Sequence, residues 1–284
     1  MITPTQKWRK YRTERGICIN EDCEKVIQKY LAPNFEGKIQ LILTSPPFPL
    51  KRAKKYGNKV GKEYLDWLCN IGNQLAPLLS QDGSIVIEIG NAWNPGEPTY
   101  STLPLETLLA FKNQCGLYLC QFIYYNPARL PGPIEWVNKQ RVRVKDSFTQ
   151  IWWMSKTPHP YANNRNVAEP YSRQMKKLLS SGKYNSGTRP SELTISQTAF
   201  SIDNGGAIPS NVIIAANTTS NDIYITKCKE HKLPIHPARM APAIPEFFIN
   251  FLTRPGDIVL DCFAGSNTTG ATAEKLGREW ISIE

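Results

Sequence analysis

The chain has 284 residues, 41% of them apolar, enough for one large domain or a domain with a smaller module around an ordinary core. Lys and Arg outnumber Asp and Glu by 34 to 24, a net charge of +10, which reads either as a polyanionic partner, with nucleic acid first, or as a merely soluble basic protein. No run approaches the roughly 20 apolar residues of a membrane span, and the first ten residues lack the apolar core of a secretory signal. The seven cysteines avoid Cys-x-x-Cys spacing, as in Cys18/Cys23 and Cys115/Cys120. They read as isolated thiols in a reducing cytoplasm, and no metal site is expected.

Short β-branched runs alternate with longer amphipathic stretches, which predicts an α/β fold with a mainly parallel sheet. Ile39-Gln40-Leu41-Ile42-Leu43-Thr44 reads as a buried strand cut off by Pro46-Pro47. Residues 63–79 carry Leu65, Leu68, Ile71, Leu75 and Leu78 at helical spacing. Asp82-Gly83 reads as a turn leading into a strand over 84–90. Residues 102–114 read as a helix, and 119–125 and 148–154 as two strands near a sheet edge. From 156 to 232, Asn, Ser, Thr, Gly and Pro dominate and apolar periodicity fades, apart from a basic helix-like piece over 171–179. That is the pattern of an inserted, loop-rich module. Core-like pattern resumes with a helix over 245–252, a Pro255-Gly256-Asp257 turn and the strand Ile258-Val259-Leu260-Asp261. The expected division is therefore 1–155, 156–232 and 233–284.

Two motifs carry chemistry. Thr44-Ser45-Pro46-Pro47-Phe48 closes a buried strand, where open α/β sheets bind ligands. Two prolines fix the backbone and remove two N–H donors, which leaves fixed carbonyl acceptors beside an aromatic ring. Such a corner suits a conjugated amino group held by acceptors and stacked on Phe48; its plain alternative is a Pro-Pro turn. The second motif is Asp261-Cys262-Phe263-Ala264-Gly265-Ser266-Asn267-Thr268-Thr269-Gly270. Gly265 permits a tight turn, and a helix over 268–276 opens with its N-terminus towards the loop. Trp280-Ile281-Ser282-Ile283-Glu284 reads as the next strand, ending in an acid able to bind ribose hydroxyls. The plain alternative there is a strand-turn-helix with a surface Glu.

These two motifs, in this order, resemble the circularly permuted beta group of DNA amino-methyltransferases. Tyr56-Gly57-Asn58, Pro133-Ile134-Glu135-Trp136-Val137-Asn138-Lys139, Arg143-Val144-Lys145-Asp146, Asp203-Asn204-Gly205-Gly206-Ala207-Ile208-Pro209 and His236-Pro237-Ala238-Arg239 extend the likeness to the PvuII-type cytosine-N4 enzymes, over nearly the whole chain. The resemblance implies a seven-stranded, Rossmann-like S-adenosylmethionine-dependent methyltransferase sheet with an inserted target-recognition region, 156–232. It implies double-stranded DNA as substrate, S-adenosylmethionine as cofactor and a cognate restriction endonuclease as functional companion. Ser45 and Pro46 would accept hydrogen bonds from the target amine, and Pro47 would complete the corner. Phe48 would stack on a flipped base. Phe263, Ala264, Gly265, Ser266, Asn267 and Thr268, after Asp261, would hold the cofactor, with Glu284 on the ribose and His236 and Pro237 near the methionine end. Asp22, or equally Glu21, would face the adenine.

Lys51, Arg52, Lys54 and Lys55 follow the catalytic motif directly and read either as a phosphate clamp or as a solvated charge run. Arg165, Arg173 and Arg189 would read guanine or touch phosphate. The chain has no Pro-Cys dipeptide to suggest a covalent cysteine. Two further readings stay open: an adenine-N6 methyltransferase, against which Ser45 tilts, and a catalytically silent DNA-binding protein. The family usually continues past the strand ending at Glu284. A further helix is therefore expected, from a longer chain or a second polypeptide, without which one face of the cofactor strands would be bare.

Overall fold

The computed structural model describes residues 4–49, 59–182, 186–196, 199–217 and 222–284. They form two compact units, one of residues 1–161 with 211–284, the other Ala162–Ser210.

Nine strands of the larger unit build one sheet. They are β1 (Arg9–Arg12), β2 (Gly16–Asn20), β3 (Ile39–Thr44), β4 (Leu79–Gly90), β5 (Tyr118–Tyr125), β6 (Phe148–Ser155), β9 (Val212–Ile214), β10 (Ile258–Asp261) and β11 (Glu279–Ile283). Across the sheet the order is β1-β2-β11-β10-β3-β4-β6-β5-β9. Five neighbouring pairs are parallel and three, β1/β2, β4/β6 and β6/β5, are antiparallel. Every residue of β3 is buried, as expected of a central strand with both faces covered.

One face of the sheet takes α1 (Cys23–Val26), α2 (Ala32–Phe35), α3 (Gly61–Leu75) and α4 (Leu103–Gln114), whose core includes Tyr30, Tyr64, Leu68, Phe111 and Trp152. The other takes the aromatic helix α7 (Ala243–Leu252) and α8 (Thr268–Lys275), with Phe248 and Leu252 wholly buried. Also in this unit is α6 (Ile223–Glu230). The second unit holds α5 (Arg173–Ser181) and the short hairpin β7 (Gly187–Thr188) with β8 (Thr194–Ile195). Its apolar cavity, about 450 Å³, is lined by Tyr171, Met175 and Phe200 among others.

The structure departs from the sequence expectations in four places. Asp82-Gly83 is not a turn. It lies inside β4, where the register against β3 shifts between the pairs Ile39–Leu79 and Leu41–Ser84. A side chain on Gly83 would meet the Ile39 carbonyl at 2.9 Å, so the bulge keeps the two backbones close. The sheet has nine strands rather than seven because β1 and β9 are added at its two edges; β6, expected near an edge, is an interior strand between β4 and β5. The loop-rich module 156–232 contains a tighter unit, 162–210, while β9 and α6 belong to the larger body. Finally, β11 is not bare: Trp280, Ile281, Ser282 and Ile283 are all buried. The Trp280 ring lies over Gly16 of β2, and its indole N–H donates to Glu274 of α8, which also accepts from Thr13.

A Cβ on Gly16 would fall 2.1 Å from the Trp280 ring. Gly16→Ala should therefore cost about 1–3 kcal/mol, the usual range for overpacking a filled core. A melting temperature lowered by several degrees is the expected readout; an unchanged one would show that the ring moves aside freely.

Candidate active site

The carboxyl ends of β2, β11, β10, β3 and β4 lie side by side, and the chemistry-bearing residues follow them. β3 pairs in parallel with β10, Leu41 beside Val259 and Ile42 beside Leu260. Ser45 and Phe263, one and two residues past these strands, are thus brought to one edge from opposite ends of the chain.

A buried hydrogen bond ties the two loops. The Thr44 hydroxyl donates to Asp261 Oδ1 at 2.7 Å, and the same oxygen accepts from the Phe263 amide at 3.1 Å. Asp261 is 2% exposed. Burial pushes its carboxyl up to about 6, against the lowering effect of the Thr44, Thr269 and Phe263 donors. The carboxylate is spent inside the protein, where it shapes the loop that follows.

That loop is tightly wound. Gly265 has a φ of +53° and Asn267 one of +57°, both left-handed. A Cβ on Gly265 would sit 3.0 Å from the His236 ring, so glycine keeps this corner open. The Ala264 amide donates to the Ile283 carbonyl, and the Gly265 amide to Glu284 Oε2 at 2.7 Å. Ser282 donates to Asn267 Oδ1 at 2.6 Å, pinning the residue that opens α8. Ser266 and Thr268 share a hydroxyl contact, and the Phe263 ring packs 5.6 Å from Trp67. His236 reaches the same corner, with Nε2 3.8 Å from Glu284 Oε1 and Nδ1 bound to the Ala238 carbonyl. Pro237 beside it is exposed. An Arg239–Asp222 ion pair and the Tyr224 hydroxyl, which accepts from the His236 amide, hold this segment.

Asp22 sits just past β2, one strand from Glu284; the neighbouring Glu21 amide donates to the Glu284 carbonyl at 3.0 Å. The Asp22 carboxylate caps α1 by accepting from the Lys25 amide, and Glu21 pairs with Lys25. Both acids lie at the same sheet edge as Glu284.

Past the end of β3, Pro46 is buried while Ser45, Pro47 and Phe48 are half-buried. The Phe48 ring lies on Gly90 at the end of β4, where a Cβ would meet it at 2.4 Å. One face of the ring is thereby fixed. Ser45 Oγ donates to the Glu88 carbonyl at a long 3.4 Å, which leaves the oxygen's lone pairs for another donor.

Sequence reasoning missed Glu88. It is 6% exposed, and its Oε1 accepts from Thr149 at 3.0 Å. Burial raises its carboxyl to about 7, against the Thr149 bond, the charge of Arg129 and the nearby Ser45 hydroxyl, all of which lower it. A lone acid in the apolar run 84–90 was the available signal. Asn91, Asp146 and Gln150 extend the polar wall: Asn91 donates to Asp146 at 2.9 Å and accepts from Gln150.

Among the described residues, no cluster of His, Cys, Asp and Glu could hold a metal ion, and no helix is long and apolar enough to cross a membrane. Lys51, Arg52, Lys54 and Lys55, with Tyr56-Gly57-Asn58, lie outside the described residues. Arg165, Arg173 and Arg189 belong to the second unit: Arg165 in the turn Asn164–Val167, Arg173 opening α5, and Arg189 beside β7.

Residues 39–284 match the DNA methylase family of N6- and N4-methyltransferases. The chain belongs to that family. It is 41% identical over 277 residues to the type II methyltransferase M.PvuII of Proteus hauseri, spanning 96% of this chain and 81% of that relative. To the type II methyltransferase M.BglII of Bacillus subtilis it is 25% identical over 256 residues, 88% of this chain and 61% of that one. Among solved structures, the PvuII DNA methyltransferase, described as cytosine-N4-specific, matches with a TM-score of 0.74 and 36% identity, covering 96% of this chain and 82% of that one. The complex of M1.HpyAVI with S-adenosylmethionine shares the fold, with a TM-score of 0.54 and 22% identity over 94% of this chain and 91% of that one. The family's methyltransferase fold is therefore the fold of this chain.

Glu88 offers a check on the electrostatics. Its carboxyl titrates near 7 folded and in the ordinary carboxylate range unfolded. Between those values the folded protein holds a proton that the unfolded chain has released, so Glu88 makes stability fall as pH rises from about 5 to about 7. Glu88→Gln should flatten that decline by roughly 1–3 kcal/mol. Denaturant unfolding across this pH range measures it, and an unaltered slope would mean that Glu88 is not buried as described.

Proposed function

We propose that this protein transfers a methyl group from S-adenosylmethionine to the N4 amino group of a cytosine in duplex DNA. The observation that carries the reading is the corner at the end of β3. There Ser45, with its proton turned to the Glu88 carbonyl, stands beside Pro46, while Phe48 is held by one face on Gly90.

The residues at the ends of β10 and β11 fit the cofactor. Gly265 keeps open a cradle that a Cβ would fill against His236, and Glu284 places a carboxylate there for hydroxyls. Phe263, Ala264, Gly265, Ser266, Asn267 and Thr268 would form its loop, with His236 and Pro237 on one side and Asp22 or Glu21 on the other. When bound, S-adenosylmethionine supplies an electrophilic methyl group.

Everything else falls to the protein's own side chains. The N4 lone pair of cytosine is delocalised into the ring and is a weak nucleophile. Ser45 Oγ and the Pro46 carbonyl accept the two amino hydrogens, which favours a tetrahedral nitrogen and aims its lone pair outward. Phe48 fixes the ring plane. Glu88, titrating near neutrality, offers the base edge a carboxyl that can donate or accept. Catalysis is then positioning and electrostatics, without a covalent bond between protein and base. As the nitrogen gains the methyl group it gives up one of the two amino hydrogens as a proton, on the side of Ser45 Oγ and the Pro46 carbonyl. A base inside a duplex cannot reach this corner, so it leaves the stack at a cost of a few kcal/mol.

The sheet order supports a permuted topology. β10 and β11, the cofactor strands of this reading, come last in the chain yet lie between β2 and β3. The unit 162–210 is the natural candidate for target recognition, with Arg165, Arg173 and Arg189 for bases or phosphates. We assign the basic segment Lys51, Arg52, Lys54 and Lys55, next in the chain after the corner, to the phosphates flanking the flipped base. A cognate restriction endonuclease and a cytoplasmic location complete the proposal.

Methyl transfer from labelled S-adenosylmethionine to mixed DNA, followed by nucleoside analysis, should yield N4-methylcytosine. N6-methyladenine would replace the reading, and no transfer at all would favour a silent DNA-binding protein. Ser45→Ala should lower kcat about 100-fold, within the range for one lost electrostatic contact, while DNA affinity stays within about twofold. An equal loss of both would move Ser45 from catalysis to recognition.

A further inference from the structure

The connection between β5 and β6, residues 126–147, leaves the sheet at the active-site edge. β6 starts where β4 ends, with Thr149 beside Gly90. The connection is anchored at that edge: Asp146 accepts from Asn91 and from the Trp93 indole, and Arg143 Nε donates to the Pro98 carbonyl at 2.8 Å. Yet it presents large apolar side chains to water. Leu130 is 83% exposed and Val144 85%, with Ile134 and Val142 also exposed. A single exposed leucine is ordinary. Four such residues on one connection, interleaved with Arg141, Arg143 and Lys145, are not. Cations that meet phosphates, combined with apolar wedges that enter a base step, are the composition of elements that open or kink a duplex.

Position singles out Leu130. Its neighbour Arg129 reaches inward and donates to the Phe148 carbonyl. The next residue, Thr149, donates to Glu88, whose carbonyl accepts from Ser45. Leu130 thus stands a short chain of bonds from the catalytic corner, and Pro131 restricts its backbone.

We propose that the 126–147 connection is a DNA-contacting arm, and that Leu130 fills the space left in the duplex when the target base leaves the stack. The proposal rests on the methyltransferase reading above. It explains why an apolar side chain is displayed beside a polar pocket: filling the gap lowers the cost of extruding the base, and the surrounding cations hold the backbone in register.

The test compares two DNA duplexes that carry the methylated site, one with the target cytosine paired to guanine and one with it opposite an abasic site, where extrusion is cheap. Leu130→Ala should reduce kcat/KM about tenfold or more on the paired duplex and less than about threefold on the abasic one. Leu130→Met, which keeps the apolar bulk, should stay within about threefold of wild type on both. Arg141→Gln should shrink the slope of log affinity against log salt by about one. Equal loss on both duplexes, or none on either, overturns the wedge. An unchanged salt slope overturns the arm. Wild-type protein that methylates neither duplex overturns the methyltransferase reading itself, a result distinct from either.

Discussion

The site depends on one buried hydrogen bond, from the Thr44 hydroxyl to Asp261. The partners are 217 residues apart in the chain, and parallel pairing of β3 with β10 makes them neighbours. Thr44 immediately precedes the serine and prolines of the proposed catalytic corner, and Asp261 precedes the glycine loop. One carboxylate oxygen takes both the threonine proton and the Phe263 amide. A displacement of either loop would leave a buried carboxylate short of a donor, which is costly in the protein interior. The proposed base and cofactor sites are thus held in a common frame by the protein interior.

Burial sets the rest of the electrostatics. Asp261 and Glu88 both lie in the core at the sheet's carboxyl edge, and desolvation raises both, to about 6 and about 7. Their surroundings differ. Asp261 turns to a backbone amide and a threonine and shapes the loop. Glu88 turns to Thr149 and lies behind Ser45, next to the place a base would occupy. A stability cost of this kind is common at sites that must keep a carboxyl near neutrality.

Much of this was legible in the chain. β3 and β10 could be read to the residue because each is a run of apolar residues stopped by a breaker, Pro46-Pro47 in one case and the Gly265 turn in the other. The motifs then named Ser45, Phe263, Gly265 and Glu284, which the fold brings to one edge. Glu88 was not legible as a site residue because its meaning depends on Thr149, 61 residues away on a strand whose neighbours no local pattern specifies. The bulge at Asp82-Gly83 was misread for a related reason: Asp-Gly favours a turn locally, while pairing with β3 on both sides keeps it in the strand. The burial of β11 was missed because Gly16 and Trp280 meet only through the pairing of β2 with β11.

The shared frame is most directly tested by calorimetric binding of S-adenosylmethionine to Thr44→Val, a change that removes one hydroxyl from the base side of the site. If Thr44 holds Asp261 and with it the cofactor loop, Kd should rise about five- to tenfold, the worth of one hydrogen bond, with the fold intact. A folded variant that binds the cofactor as tightly as wild type would contradict the coupling on which this account of the site is built.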